Sequence, residues 1–151
     1  MRVKADVDIL RQIPLFAGCE SAHLQLLSFS SKRIELPAHR ILFKKDTKGA
    51  AGYLVLEGTA EVFESANASG NVIATIEGGA FLGELSMVAD LPYGVTVMST
   101  SPMAAQRIER DLFLRVSAEF PEFAVEVIRN MTGKLETSAA AFREVKRMFE
   151  A

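Results

Sequence analysis

The stretch Gly79-Ala-Phe-Leu-Gly-Glu-Leu-Ser-Met-Val-Ala-Asp-Leu-Pro-Tyr-Gly-Val-Thr-Val97 combines a glycine, a carboxylate and a short apolar turn that ends before a proline. Gly83 directly precedes Glu84, and two interpretations of this glycine are open: it lets the backbone come close to a bound group, or it simply permits a turn. The residues from Glu84 to Ala89 predict a short helix, whose first turn presents backbone N–H donors. Such donors favour an anion, so this stretch is the candidate ligand site of the chain.

Short runs of β type lie on both sides of this stretch, many of them alternating in polarity and separated by proline or glycine. They are Ile34–Leu36, Ile41–Phe43, Tyr53–Leu56, Ala60–Phe63, Val72–Ile76, Val95–Met98 and Ala104–Ile108. Strands of about five residues with a turn every eight to twelve residues or so are typical of a sandwich or small barrel. They predict a mainly β fold, a jelly-roll barrel of about eight strands over residues 32–109.

Helical periodicity replaces the alternating pattern at both ends of the chain. Val7–Arg11 and Ser21–Phe29 are predicted helices, and the turn Ile13–Gly18 between them is expected to plug one end of the core. Asp111–Ser117 predicts a helix after the barrel. A last helix begins near Pro121, because proline is tolerated in a first turn. We therefore expect N-terminal helical structure and two C-terminal helices over about residues 110–150.

The last helix carries a regular seam of mostly apolar residues, spaced alternately by three and four positions. The seam consists of Ile128, Met131, Leu135, Ser138, Phe142, Val145 and Phe149. This spacing is the a/d pattern of a coiled coil over about three heptads. Two interpretations remain open. The seam forms a homodimer or binds a partner protein, or it packs against the barrel of its own chain, as amphipathic helices generally do.

The composition of the chain limits the classes of protein to which it can belong. The chain has 151 residues, of which 49% are hydrophobic, and this is ample for one core. Its apolar runs are much shorter than the roughly 20 residues that span a bilayer. The mixed charges of Met1–Asp8 do not fit a secretory signal, and the lone Cys19 cannot form an internal disulfide. We therefore expect a single cytoplasmic domain over residues 1–151 that does not bind a membrane.

Direct nucleic-acid binding and catalysis are both disfavoured. The formal net charge is −2 and the basic residues are scattered, whereas phosphate binding needs clustered cations. We expect no helix-turn-helix after the last helix, so a role on DNA would need a second polypeptide. The sequence contains no nucleophile elbow, P-loop or interpretable Cys–His pair. We expect no catalytic residues, and we expect His23 and His39 to be surface residues rather than metal ligands.

Several pieces of the chain occur in a characteristic order. They are Ile13-Pro-Leu-Phe-Ala-Gly18, Ile41-Leu-Phe-Lys-Lys-Asp46, Tyr53-Leu-Val-Leu-Glu-Gly58, Gly79-Ala-Phe-Leu-Gly-Glu-Leu-Ser86, and Pro92 followed by Val95-Thr-Val97. This ordered set resembles the cyclic nucleotide-binding domain family, and the resemblance extends from Leu10 to about Phe142. It implies a non-catalytic regulatory or sensor domain whose ligand is cAMP or cGMP, with no other cofactor. The rival hypothesis is a dimerisation or protein-interaction module on the same fold that needs no ligand.

The resemblance also implies roles for individual residues, because the family's phosphate-binding cassette matches residues 83–95. The backbone near Gly83 and Leu85 would meet the nucleotide, and Glu84 would bond the ribose 2′-hydroxyl. The alternative for Glu84 is that it only complements the dipole at the start of the short helix. In the family an arginine that follows the proline pairs with the cyclic phosphate, and this chain has Tyr93 at that position. The implied ligand-binding residues are Phe81, Leu82, Gly83, Glu84, Leu85, Ser86, Tyr93, Gly94 and Val95.

Tyr93 changes what the site is expected to bind. Arginine holds a phosphodiester through two charge-assisted hydrogen bonds, whereas a phenol offers a single neutral donor. Losing one partner of a buried charged pair costs about 2–5 kcal/mol, so cyclic nucleotide affinity should be weakened. We interpret Tyr93 as a rim residue that fills ligand space. Two rescues stay open: Arg33, Arg40 or Lys44 reaches the site, or the ligand lacks the phosphate charge and stacks on Tyr93.

Overall fold

The computed structural model of the protein describes residues 2–131, with side chains from Val7 onward. The helices are α1 (Arg2–Gln12), α2 (Ser21–Ser30), α3 (Glu84–Ala89), α4 (Arg110–Glu119) and α5 (residues 121–131), and a 3₁₀ turn spans Pro14–Phe16. The strands are β1 (Lys32–Leu36), β2 (Ile41–Phe43), β3 (Ala51–Glu57), β4 (Thr59–Phe63), β5 (Val72–Glu77), β6 (Phe81–Leu82), β7 (Thr96–Ser99) and β8 (Met103–Glu109).

The strands within residues 2–131 form two four-stranded sheets, in the orders β1-β8-β3-β6 and β2-β7-β4-β5. Every neighbouring pair of strands is antiparallel. Two such sheets with helices at the chain ends form the jelly roll that the short alternating runs predict. The predicted fold class, an eight-stranded barrel flanked by helices, is therefore confirmed.

The strand that the sequence pattern missed is β6, which contains only Phe81 and Leu82. These two residues pair with Leu54 and Tyr53 at the edge of the first sheet. Two residues are too few to show an alternating pattern, and glycines at 79 and 83 interrupt the run on both sides. The short strand nevertheless matters, because it delivers the chain to α3.

Two apolar cores share β3, which is buried on both of its faces. The outer core lies under the helices and includes Phe16, Leu54 and Phe123. The inner core fills the barrel and includes Tyr53, Tyr93 and aliphatic residues of the second sheet. A strand with both faces buried reads as a continuous apolar run, which explains why the sequence around Tyr53 does not alternate.

His23 is buried, so the prediction that it is a surface residue is wrong. Its ring lies 4.4 Å from the ring of Phe120, and its Nε2 is 3.7 Å from a carboxylate oxygen of Glu122. The imidazole is covered because the start of α5 packs against α2, a long-range contact that the helical period of α2 does not reveal. His39 is exposed, as expected.

The described part of α5 packs on its own barrel through Phe123, Val127 and Met131, all of them buried in the outer core. Ile128 belongs to the same predicted seam as Met131, yet its side chain is 54% exposed. Of the two described seam residues, Met131 is therefore buried in the outer core and Ile128 faces the solvent. The other seam positions lie outside the described residues, namely Leu135, Ser138, Phe142, Val145 and Phe149.

Candidate functional site

Gly83 sets the start of α3 through its backbone conformation and through the space around it. Its φ is 76°, in the left-handed region that side-chain-bearing residues rarely adopt. A Cβ at this position would lie 2.9 Å from the carbonyl oxygen of Ala51 and 3.0 Å from Cε1 of Tyr93. Gly83 is therefore needed for the turn and for room within the protein itself, which agrees with the second of the two interpretations of this glycine.

Ser86 fastens α3 to the loop that follows it. Its side chain is buried, and its hydroxyl donates a hydrogen bond of 2.6 Å to the carbonyl of Leu91. A Cβ on Gly49 would lie 2.1 Å from Cβ of Ser86, so the two residues are in direct contact. Ser86 thus lies at the wall of the site, but its donor already has a partner inside the protein.

Arg110 connects the end of α3 to the start of α4. Its Nη1 donates hydrogen bonds to the carbonyls of Met87 and Val88, at 2.9 and 2.8 Å, and its Nε lies 3.8 Å from a carboxylate oxygen of Asp90. The last carbonyls of a helix have no partner within the helix, and a cation there also complements the helix dipole. One side chain therefore ties α3 to the helix that leaves the barrel.

A cavity of about 280 Å³ lies between α3 and the second sheet. Many of the predicted ligand-binding residues line it: Gly83, Glu84, Leu85, Ser86, Tyr93, Gly94 and Val95. Phe81 and Leu82 do not line it. The ring of Phe81 packs edge-on against Phe16 at 5.3 Å, and Leu82 packs against the inner core.

Four further residues complete the described wall, and the sequence analysis did not select them as ligand contacts. They are Phe43, Leu91, Pro92 and Met131. Leu91 and Pro92 lie inside the quoted stretch, so their position was a usable signal. Phe43 and Met131 come from distant elements, and only the packing of β2 and α5 brings them to the cavity.

Tyr93 is a core residue rather than a rim residue, since its side chain is only 7% exposed. Its ring stacks on Phe43 with the ring centres 4.0 Å apart and the planes 13° from parallel. Its hydroxyl donates a hydrogen bond of 2.9 Å to the carbonyl of Ala51. The phenol donor is therefore directed into the protein, and the face and edge of the ring form part of the cavity wall.

The three cations considered as substitutes for an arginine do not line the cavity. Arg33 pairs instead with Glu57, with 3.0 Å between nitrogen and oxygen. Arg40 and Lys44 have exposed side chains. Glu84, which is half-buried, is the charged member of the described wall, and its charge is negative.

Arg107 lies beside the inner core and contacts Tyr53. Its Nη1 donates a hydrogen bond of 3.0 Å to the Tyr53 hydroxyl, and its Nε is 3.8 Å from Glu109. Burial, followed by the charge of the neighbouring Tyr93, raises the pKa of Tyr53 to about 12, although Arg107 opposes the shift. Tyr53 therefore remains a neutral phenol at ordinary pH.

Cys19 is a free and partly buried cysteine. Burial and the nearby Glu126 raise the pKa of the Cys19 thiol to about 11, so it is not a thiolate at neutral pH.

Within residues 2–131, no three His, Cys, Asp or Glu side chains lie together in a way that could hold a metal ion. None of the helices in this same region is long and apolar enough to cross a membrane.

Comparison with known proteins places this site in a family context. A family model described as the cyclic nucleotide-binding domain matches residues 33–120. The N-terminal domain of a transcriptional regulator from Streptomyces coelicolor A3(2) has a similar structure, with a TM-score of 0.79 and 24% identity. The similarity covers 89% of this chain and 94% of that one. At this level of identity the structural likeness shows the fold.

Two curated relatives match over most of this chain. The cAMP-dependent protein kinase regulatory subunit of Aspergillus fumigatus is 27% identical over 107 residues, which are 71% of this chain and 25% of that protein. The acetyltransferase Pat of Mycolicibacterium smegmatis is 22% identical over 104 residues, which are 69% of this chain and 31% of that protein. The matched region thus spans about a quarter to a third of the length of these relatives.

Replacing Gly83 by alanine should destabilise the protein. A left-handed backbone costs a side-chain-bearing residue about 1–2 kcal/mol, and the crowding by the Ala51 carbonyl adds to this cost. Urea unfolding followed by circular dichroism measures the loss. Gly94→Ala is the matched control, because a Cβ there would meet nothing within 4 Å. Equal stabilities of the two variants would contradict the role assigned to Gly83.

Tyr53 should titrate with an elevated midpoint. Its folded pKa of about 12 exceeds the value of about 10 for an unfolded tyrosine. Its contribution to stability is therefore complete below about pH 10 and is lost as the pH rises through about 12. The chain has two tyrosines, so Tyr53 is the remaining phenol in a Tyr93→Phe variant.

Phenolate absorbance of that variant measures the midpoint, with circular dichroism followed in parallel. The folded variant should titrate above the same variant unfolded in guanidinium, because burial is the larger cause of the shift and survives the substitution. Identical midpoints in the folded and unfolded samples would show that the Tyr53 hydroxyl is not buried as described.

Proposed function

Because the chain belongs to the cyclic nucleotide-binding domain family, we propose that it is a non-catalytic regulatory or sensor domain with weakened affinity for cAMP and cGMP. The observation that carries this proposal is the position of Tyr93. It stands in the cassette where the family resemblance implies an arginine, and its hydroxyl donates to the Ala51 carbonyl. A cyclic phosphate at the cassette would therefore have neither a guanidinium nor an available phenol donor from this residue.

Electrostatics supports weak nucleotide binding. A phosphodiester keeps its negative charge, and removing that charge from water requires a compensating cation. The described wall contains no lysine or arginine. Removing one partner of a buried charged pair costs about 2–5 kcal/mol, which is roughly two to four decades of affinity.

The connection between α3 and α4 supports a regulatory role. Arg110 holds the last carbonyls of α3 from the first turn of α4, and Met131 of α5 lines the cavity. A ligand that moves α3 would therefore also act on the helices that leave the barrel. Such a ligand shifts the protein between two arrangements only if it binds one of them more tightly.

The same proposal includes a non-catalytic role and a cytoplasmic location. One curated relative is described as a regulatory subunit and another as an acetyltransferase, so a matching region occurs both in a regulator and in an enzyme. The raised pKa of the Cys19 thiol argues against nucleophilic catalysis by this residue. We therefore assign the chain a binding role. The cytoplasmic location, which was expected from its single cysteine, stays a prediction.

Calorimetric titration with cAMP and with cGMP tests the proposed affinity. We expect the wild-type Kd to be weaker than about 0.1 mM, because the charge partner of the phosphate is missing. Tyr93→Arg should tighten binding by about two decades or more if the variant folds. Gly94→Arg is a second test, since it adds a cation at the cavity wall where a Cβ meets no atom within 4 Å. A tighter wild-type Kd would contradict the proposal.

An interaction module is the alternative function, and the outer face of α5 favours it. Val125 and Ile128 are exposed apolar residues on this helix, at 53% and 54%. Ile128 is the first residue of the predicted heptad seam, and the seam positions after Met131 lie outside the described residues. On this alternative the chain forms a homodimer or binds a partner protein without any ligand.

Light scattering tests whether the chain forms a homodimer, as this alternative requires. If this exposed face of α5 forms a dimer, wild type should have twice the mass of a Val125→Asp/Ile128→Asp variant, because a buried charge without a partner disrupts an interface. Phe29→Asp is the control, since Phe29 is also apolar and 77% exposed but lies on α2. A wild-type monomer at micromolar concentration would exclude self-association through this face.

A further inference from the structure

We propose that residues 40–48 form a docking surface for an acidic segment of a partner protein. This part of the chain, called the basic segment below, contains β2 and the turn that follows it. The inference goes beyond the proposed function, because it concerns a surface outside the cavity and does not depend on which molecule the cavity binds.

Positive charge is concentrated in the basic segment, although basic residues occur all along the chain. Its cations are Arg40, Lys44, Lys45 and Lys48, and its carboxylate is Asp46. The formal charge of residues 40–48 is therefore +3, and because the whole chain has −2, the remaining residues carry −5. A patch of one sign on a protein of the opposite sign attracts an oppositely charged partner to that one place.

The four cations of the basic segment are available to a partner. Arg40, Lys44 and Lys48 are exposed, and Lys45 is half-buried. Within residues 2–131 none of the four forms an ion pair, not even with Asp46. Cations that do pair with a carboxylate lie elsewhere, namely Lys32, Arg33, Arg107, Arg110 and Arg129. The charge of the segment is therefore not neutralised by the described part of the chain.

Carboxylates near one end of the basic segment are partly engaged by other cations. Lys48 borders a polar hollow that three carboxylates also line: Asp90, Glu109 and Asp111. Two of them pair with cations outside the segment, Asp90 with Arg110 and Glu109 with Lys32. Asp111 remains, so the Lys48 end is the less positive end of the segment.

The turn that carries the lysines is ordered by hydrogen bonds and is joined to Tyr93. The Thr47 hydroxyl donates a bond of 2.6 Å to the Lys44 carbonyl. The Asp46 N–H donates to the Tyr93 carbonyl at 2.8 Å, and the Tyr93 N–H donates to the Thr47 carbonyl at 3.1 Å. Because less of an ordered surface has to be fixed on binding, the entropy cost of docking is reduced. A docked partner would also lie beside the cavity, whose wall includes Tyr93.

The size of the patch favours an acidic protein segment over a nucleic acid or an anionic membrane. Those polyanions extend well past the basic segment, and the charge of −5 on the remaining residues would repel the parts that lie outside it. A short run of aspartate and glutamate contacts the four cations alone. Because the resulting ion pairs would be exposed, the binding should be weak and should fall with salt.

Fluorescence anisotropy on the full chain tests the proposal with two dye-labelled, acetylated octapeptides. One alternates glutamate and aspartate, and the other has glutamine and asparagine in the same order and therefore carries no side-chain charge. We expect wild type to bind the acidic peptide at least about tenfold more tightly than the neutral one at about 50 mM salt, and to lose most of this preference at about 0.5 M. In nuclear magnetic resonance spectra the acidic peptide should shift the amide signals of Asp46 and Tyr93, which locates it.

Matched variants test whether the basic segment itself sets this preference. Arg40→Glu/Lys44→Glu reverses two exposed cations at the more positive end and should weaken binding of the acidic peptide at least about tenfold. Arg115→Glu/Arg129→Glu is the control, because it makes the same change in net charge on exposed residues of α4 and α5. The control should weaken binding by less than about threefold at about 0.1 M salt, since charges outside the segment are screened.

Four results would overturn the inference. Neither octapeptide could bind, both could bind equally, or the two double variants could behave alike. In the fourth, an oligonucleotide of eight thymidines binds wild type more tightly than the acidic octapeptide does, which would assign the surface to nucleic acid. None of these results bears on the affinity for cAMP, so they leave the proposed function standing. A wild-type Kd for cAMP tighter than about 0.1 mM would instead contradict the proposed function and leave the docking surface intact.

Discussion

The contact among Gly83, Tyr93 and the Ala51 carbonyl holds the cassette against the barrel. The Tyr93 hydroxyl donates to this carbonyl, and a side chain at position 83 would collide with both partners. A buried carbonyl without a donor is costly, so the hydrogen bond stabilises the closed arrangement of strand and cassette. The same bond uses the only hydroxyl donor of Tyr93, so this donor is not available to a ligand while the bond is intact.

Further contacts join α3 to the neighbouring loops and to α4. Ser86 donates to Leu91 in the loop after α3 and contacts Gly49 in the loop before β3, and Arg110 of α4 holds the last carbonyls of α3. The helix α3 is thus held at its start, its middle and its end. A ligand that replaced any one of these contacts would change the packing of β3, the loop before it and α4 together, because protein interiors are closely packed.

Local sequence patterns predicted the fold well because alternation and helical spacing report burial directly. The runs around Phe43, Tyr53 and Val97 alternate or are wholly apolar, and each forms a strand. The pattern could not predict β6, which has two residues, or the burial of His23, which depends on α5. In the site, the sequence drew attention to Gly83 and Tyr93, and both lie at the cavity wall. It could not tell that Tyr93 donates to Ala51, because that bond joins residues distant in the chain.

The position of the two tyrosines has a practical consequence. The chain contains no tryptophan, and both of its tyrosines lie in the inner core. Tyr93 forms part of the cavity wall and Tyr53 is stacked on Phe43 with the ring centres 5.8 Å apart. The intrinsic tyrosine emission of the unmodified protein therefore originates at the cavity and its immediate neighbour. Occupancy of the site can be followed optically in the natural sequence, without a label or an introduced residue.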